Sequence, residues 1–348
     1  MPEAKERRRR MLEFDRAHET GWTSARQRPQ LHMLLLSGGT GFVGRSLLRH
    51  LGEAGLPVRI LLRPSKSSPD LPRGVTTEVA LAGLSDRRGL RAAMVGVDRV
   101  IHLASPDGER LTAGTVAAEA EGALNLGEAA SDAGVTRLVF VSHLGADRAS
   151  AYPSLRATAI AEEHLRRSGV PLTILRAAVT YGPGDVFTTS IAMLLAVSPF
   201  LFPIPGDGKV LLQPLWVEDL ARCLVWALDD PALIGATVEL GGPEHLTLRE
   251  IIELILRTMG TRKALAGVRP PYLRAAAWAM ERLLPDSPAT TAWIDYLAAG
   301  RTTDLNSASR AFRLQPARME RRLDYLHGRN WGWELPARQL RRLRGRAG

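Results

Sequence analysis

From residue 31 onward the chain alternates short, continuous apolar runs with amphipathic stretches. The runs at 31–36, 58–62, 75–79, 97–103, 137–141 and 172–175 are rich in Val, Leu and Ile. Between them, residues 42–54, 86–95, 112–133 and 154–168 repeat their apolar positions at helical spacing. Continuous runs suit strands buried on both faces, so this rhythm predicts a parallel sheet with helices on each side. Gly134, after the longest helical stretch, and Gly169 followed by Pro171 are stop signals for the helices before them.

Beyond Arg176 the rhythm loosens. Residues 185–212 read as a helix followed by a Pro/Gly loop over 203–208. Thr247 and Glu250 have the spacing of a capping box opening a helix over 248–259, and further helices are predicted over 271–284 and 289–299. There is no internal repeat beyond the strand–helix units.

At 348 residues, with 45% apolar and 24% charged side chains, the chain can bury one large core or two modest ones. The formal charge of +10 lies mostly at the ends: residues 1–30 carry +3 and residues 328–348 carry +5, leaving +2 for the body. Those ends lack the interleaved aromatics of nucleic-acid readers, so nucleic acid is not the expected partner. They could instead touch an anionic membrane, with Trp331 and Trp333 as anchors. Cys223 is the single cysteine, in an apolar helical pattern that reads as a buried structural thiol, which excludes an internal disulfide. No apolar run reaches the roughly 18 residues of a membrane span. The nearest, 191–204, is interrupted by Pro199 and Pro203. The arginine run near the start has no apolar segment behind it and is not a secretory signal. A cytoplasmic protein is expected, with peripheral membrane contact as the alternative.

The chemistry begins at Ser37-Gly38-Gly39-Thr40-Gly41-Phe42-Val43-Gly44, between the first run and a helical pattern. Strand, glycine turn and helix form the context of a dinucleotide-binding turn, here spaced GxxGxxG. Gly38 permits a sharp exit from the strand, Gly41 leaves room for a pyrophosphate, and Gly44 lets helix and strand lie close. The free N–H groups and positive dipole end of the helix would face the phosphates.

The run from Gly38 to Gly44 resembles the extended and atypical short-chain dehydrogenase/reductases, the epimerase/dehydratase-like superfamily. Within it, the chain is most similar to the branch holding the nucleotide-binding accessory subunit of respiratory complex I, over about residues 33–327. The resemblance implies an α/β fold: a Rossmann doubly wound parallel sheet with a smaller, mostly helical C-terminal substrate lobe. It divides the chain into a basic extension at 1–30, a Rossmann domain at 31–184 to which 213–242 return, a substrate lobe from 185–212 and 243–327, and a basic tail at 328–348. Relatives often begin near Met33, so the first 32 residues are an extension or an upstream start.

An acid near the end of the second strand marks NAD preference. Here the segment reads Leu61-Leu62-Arg63-Pro64-Ser65-Lys66, without an acid. Arg63 and Lys66 favour NADP, because a cation can pair with a 2′-phosphate that an acid would repel; NAD is the alternative. Relatives hold adenine with an Asp after the third strand, where this chain has Ala82-Gly83-Leu84. The segment Val100-Ile-His-Leu-Ala104-Ser105 resembles the one passing under the cofactor, with His102 as a core histidine.

The family's redox chemistry uses a Tyr whose phenol, ordinarily near a pKa of about 10, is lowered by a Lys one helical turn later. Tyr152 and Arg156 have that spacing, with Arg in place of Lys. Arg supplies charge but does not give up its proton. A second register puts Ser154 and Thr158 at the two places, and the dyad is then gone. Ser142 falls at the family's serine position, and His143 beside it sits where open sheets bind ligands. Arg176, and the loop from Tyr181 to Gly184, resemble segments bordering the substrate cleft. No metal site is expected.

The expected protein is thus an NADP(H)-binding oxidoreductase or epimerase-like enzyme acting on a small or lipidic carbonyl or alcohol, its Tyr-x-x-x-Lys site degenerate. The alternative is a non-catalytic dinucleotide-binding module that assembles or senses the redox state of a protein complex or homo-oligomer.

Overall fold

Each continuous Val/Ile/Leu run becomes a strand, and each amphipathic stretch a helix returning to the start of the next. The computed structural model describes residues 33–64, 75, 77–103, 113–284, 287–334 and 336–337. The first strands are β1 (Met33–Ser37), β2 (Val58–Leu62), β3 (Thr77–Leu81), β4 (Val97–Leu103), β5 (Arg137–His143) and β6 (Leu172–Ala177). The short strands β7 (Thr180–Tyr181), β8 (Leu201–Pro205), β9 (Leu211–Leu212), β10 (Leu215–Trp216) and β12 (Leu246–Thr247) lie outside the main sheet, which β11 (Thr237–Leu240) completes. Its order is β3-β2-β1-β4-β5-β6-β11, and every pairing is parallel. The predicted doubly wound sheet is therefore present. All seven strands end on one edge, where the glycine turn, Arg63 and His143 are brought together.

Except at the edge strand β3, where Val79 and Leu81 are exposed, both faces of the sheet are covered. On one, α1 (Phe42–Glu53) buries Leu47, Leu48 and Leu51 against Leu220 and Leu224 of α6 (Val217–Asp229). Full burial of a leucine contributes about 1.5–3 kcal/mol, so these few contacts matter to the domain's stability. On the other face lie α2 (Arg87–Ala93), α3 (Ala113–Asp132) and α4 (Pro153–Arg167). Small residues let these helices approach closely: a Cβ on Gly122 would stand 2.8 Å from Leu84, and one on Gly127 3.0 Å from Ser168. Cys223 lies buried in α6, and burial pushes its thiol up, as a structural role requires.

A second core belongs to the C-terminal lobe. There α5 (Phe187–Val197) packs with α7 (Leu248–Thr258), and Met319, Leu323, Leu326 and Trp331 close over them. The predicted capping box opens α7: the Glu250 N–H donates to Thr247 Oγ1 at 3.2 Å, and the Thr247 N–H to Glu250 Oε2 at 2.7 Å. The chain beyond residue 300 is pinned back by buried or half-buried side chains. Gln213 Oε1 accepts from the Thr303 N–H at 2.7 Å, Asp219 Oδ2 from Ala317 at 2.7 Å, and Glu244 Oε1 from Met319 at 3.0 Å.

Two elements differ from expectation. The stretch predicted as a Pro/Gly loop holds β8, which pairs in parallel with β13 (Ala264–Val268). Pro203 and Pro205 resemble loop signals, yet in a two-strand ribbon prolines can sit where no ladder N–H is needed. Trp331, expected as a membrane anchor, is a core residue whose Nε1 donates to Leu326 O at 2.9 Å. Trp333 is exposed. Among the described residues no helix is long and apolar enough to cross a membrane. The N-terminal extension and residues 338–348 lie outside the described residues.

His102 of β4 is buried, stacked on Phe140 at 5.2 Å, with Nδ1 3.2 Å from Ser37 Oγ. Burial lowers its pKa from 6.5 to about 4, so the ring is neutral at pH 7. A histidine lowered by folding adds stability that is complete above its unfolded pKa and lost as pH falls towards the folded value. Between pH 6.5 and 4 the loss should reach about 3 kcal/mol. Urea titrations across that window should show a steeper decline for the native chain than for His102→Phe; equal slopes would contradict this.

Candidate dinucleotide and substrate site

The glycine turn leaves β1 at Gly38, whose φ is +85°, a conformation that L side chains rarely adopt. Gly44, in the first turn of α1, lies so close to the outgoing backbone that a Cβ there would stand 2.2 Å from Gly38 O and 2.6 Å from Gly39 Cα. No side chain could be accommodated, and this contact fixes the angle between strand and helix. At Gly41, the helix N-cap, a Cβ would meet Gly38 O at 3.2 Å, and no side-chain hydrogen bond caps the helix end. The N-terminal N–H groups of α1, around Phe42 and Val43, thus face an exposed glycine surface at the positive end of the helix dipole. Such a cradle fits a pyrophosphate. Gly39 and Thr40 complete the turn, which the Gly41 N–H closes onto Gly38 O at 3.0 Å.

Arg45, which sequence reasoning passed over, ties this turn to the opposite wall. Its Nη1 donates to Thr40 O at 2.8 Å, and a Cβ on Gly184 would lie 3.3 Å from its Nη2. Phe42 similarly packs at Gly182, where a Cβ would meet its ring at 3.4 Å. The loop over 182–184 and the glycine turn therefore form one wall. The only hint in sequence is a cation directly after the third glycine.

Arg63 follows the last residue of β2 and is exposed, placing it beside the turn because Ser37 and Leu61 are paired neighbours in the sheet. Lys66, Ala104 and Ser105 lie outside the described residues. After β3, the segment Ala82-Gly83-Leu84 carries no acid; the Leu84 carbonyl accepts from Asn125 Nδ2 at 3.0 Å, and Arg87 Nε donates to Asn125 Oδ1 at 2.8 Å.

At the far side of the edge, Ser142 and His143 end β5, both buried. Ser142 Oγ donates to Glu162 Oε1 at 2.5 Å, and Arg176 of β6 forks onto the same carboxylate through Nε at 2.9 Å and Nη2 at 2.8 Å. Arg166 adds a third cationic contact at 3.1 Å. Burial alone would favour the neutral acid. The bonds from Arg176 and Ser142 and the charges of Arg176 and Arg166 outweigh it, holding Glu162 below the ordinary carboxylate range. Ser142 is thereby committed to a carboxylate from α4.

This contact orients α4. Ser154, Thr158 and Glu162 are spaced four apart and share the face that Glu162 turns to β5. Thr158 Oγ1 donates back to Ser154 O at 3.0 Å. Tyr152 is the N-cap residue, with Pro153 at the first helical position. Arg156 is exposed and its Nη1 donates to Ser150 O at 2.8 Å. At 3.6 residues per turn Arg156 lies roughly 160° around the helix from Thr158. The inward stripe is therefore Ser154–Thr158–Glu162, and it carries neither a phenol nor an amine.

The buried Tyr181, the half-buried Tyr325 and an acid stand behind the loop over 182–184. Asp185, fully buried, accepts from the N–H groups of Gly182 at 2.9 Å, Thr188 at 3.0 Å and Thr189 at 3.0 Å. Tyr325 reaches the same carboxylate at 3.3 Å and Thr188 Oγ1 at 2.7 Å. Burial first, then neighbouring carboxylates, raise the phenols of both Tyr181 and Tyr325, so neither is available as a proton donor to a weak base.

A family model described as NAD(P)H-binding matches residues 38–188. Over 227 residues the chain is 33% identical to mitochondrial NADH dehydrogenase [ubiquinone] 1 alpha subcomplex subunit 9 of Arabidopsis thaliana, covering 63% of this chain but only 56% of that subunit. It is 30% identical over 246 residues to the ceramide reductase of Caulobacter vibrioides, covering 70% of this chain and 76% of the reductase. The fold is shared with a crystal structure of an NADPH-dependent quinone oxidoreductase from Escherichia coli in complex with NADPH. That likeness has a TM-score of 0.69 at 20% identity, over 84% of this chain and 99% of the other.

Charge-assisted bonds from a guanidinium contribute about 1.5–3 kcal/mol. Arg63→Ala should therefore weaken NADPH binding about tenfold or more while leaving NADH nearly unchanged, as read by calorimetry. Equal effects on both coenzymes would remove Arg63 from coenzyme selection.

Proposed function

The chain belongs to the NAD(P)H-binding family, of the atypical short-chain dehydrogenase/reductase type, and we propose that it is an NADP(H)-dependent reductase of an apolar, lipid-like carbonyl. One observation carries this reading: the bare glycine turn and uncapped α1 N-terminus lie on the same strand edge where His143 ends β5. When bound, the coenzyme supplies a hydride to the carbonyl carbon. The carbonyl π electrons move to oxygen, which takes up a proton. The residues of this chain then divide the work. The glycine turn and the α1 N-terminus hold the diphosphate, Arg63 selects the 2′-phosphate, and the wall made by Phe42, Arg45 and the 182–184 loop encloses the cleft. His143, at the C-terminal end of β5, is our candidate for donating the proton or orienting the carbonyl. Tyr152 and Arg156 are assigned to the helix entrance. The choice of a lipid-like substrate is supported by the ceramide reductase relative.

The engagement of Ser142 with Glu162 favours a second reading, in which the bound dinucleotide is a structural or redox-sensing element of a larger assembly. The NADH dehydrogenase relative is, by its name, a subunit of a larger assembly, although the match spans little more than half its length.

The two readings separate in one assay series. The purified chain is supplied with NADPH and long-chain aldehydes, ketones or quinones, and coenzyme oxidation is followed by its absorbance. The reductase reading expects turnover that His143→Asn lowers by about a hundredfold, the usual scale for loss of a general acid, while Tyr152→Phe changes it little. NADPH binding without oxidation by any of these acceptors would instead establish the assembly reading. A large loss in Tyr152→Phe would return catalysis to the tyrosine.

A further inference from the structure

The C-terminal lobe presents an apolar face that its own core does not use. It is centred on α8 (Pro270–Leu283), of which only Ala277 is buried. Tyr272, Ala276, Ala279 and Leu283, spaced four, three and four apart, form one stripe along the exposed side, with Tyr272 66% and Leu283 80% accessible. On the neighbouring flank Trp278 is half exposed, and the Arg282 guanidinium lies 4.0 Å over its ring. α8 packs on β8, whose first residue, Leu201, follows Phe200, 84% exposed. Exposed large apolar side chains in this number, gathered on one lobe, mark a surface that meets something other than water.

The charges around it identify the occupant. Residues 260–284 carry five cations, Arg262, Lys263, Arg269, Arg274 and Arg282, against the single acid Glu281; Arg274 pairs with Asp295 at 3.3 Å, which leaves four other cations. Glu281 is itself engaged, accepting from the Thr291 N–H at 2.8 Å. A second copy of the same face would bring like charges together. An anionic surface would be attracted, and cations interleaved with Trp, Tyr and Leu suit a bilayer interface, where the rings sit at headgroup level and the guanidiniums meet phosphates. Lys263 bonds the Ser198 and Pro199 carbonyls, anchoring this segment to the end of α5 so that Phe200 and α8 belong to one rigid lobe.

We propose that this face of α8 and the Phe200 loop docks the C-terminal lobe onto anionic phospholipid bilayers. The inference is independent of the redox chemistry. It differs from contact through the charged ends of the chain in relying on apolar insertion by a folded element.

The test uses the full chain and vesicles of phosphatidylcholine with or without phosphatidylglycerol, separated by flotation. Binding is expected only with phosphatidylglycerol and should weaken with salt. The variant Phe200→Ser/Trp278→Ser/Leu283→Ser alters no charge and should partition about tenfold more weakly, because three apolar anchors are lost. Its NADPH affinity, a readout of folding, should be unchanged. Should that variant misfold, Trp278→Phe in vesicles with brominated acyl chains gives the same answer: binding persists and the quenched part of the tryptophan emission disappears. The proposal is overturned by absence of flotation, by flotation that the triple variant retains in full, by unquenched Trp278, or by a dimer in light scattering that the triple variant dissolves.

Discussion

The contact on which the rest depends is a backbone approach with no room for a side chain. With a Cβ on Gly44 only 2.2 Å from Gly38 O, strand β1 and helix α1 can meet at their observed angle only through glycine. That angle directs the α1 N-terminus across the edge where all seven parallel strands end. The same angle brings Phe42 and Arg45 against the loop over 182–184. A packing constraint at one residue thus orients the phosphate cradle, closes one wall of the cleft and joins the Rossmann sheet to the beginning of the second lobe.

A second constraint acts at the opposite side of the cleft. Glu162 is buried among Ser142, Arg176 and Arg166, drawing α4, β5 and β6 together through four charge-assisted bonds. Removing one partner would leave an uncompensated buried charge, so the group is far more costly to break than its net worth suggests. Its position fixes which face of α4 turns to the sheet. That inward face carries Ser154 and Thr158, while Tyr152 and Arg156 stand aside.

Much of the fold was legible in sequence because parallel strands buried on both faces leave continuous Val/Ile/Leu runs. Strands over 58–62 and 97–103 and the capping box at Thr247 and Glu250 are found where the pattern puts them. The glycine turn was legible because its three spacings each answer to a steric need. What was hidden depends on long-range contacts. The ribbon of β8 and β13 joins residues some sixty apart and contains prolines that locally suggest a loop. Trp331 resembles part of a basic tail, yet is buried by α7 and the turns before it. The tie between Ser142, Glu162 and Arg176 cannot be read from spacing, since two helical registers fit the sequence and only the buried carboxylate chooses between them.

The central claim is that a bare helix end at the glycine turn holds the coenzyme diphosphate. Calorimetric titration of the full chain and of Gly41→Val with NADPH and NADH tests it most directly. Gly41 is exposed, and a Cβ there meets only Gly38 O, at 3.2 Å, so the variant should keep its unfolding temperature within a few degrees while blocking the phosphates. The account predicts binding by the native chain and its loss in the folded variant. No heat from either coenzyme with the native chain, or undiminished affinity in Gly41→Val, would contradict it.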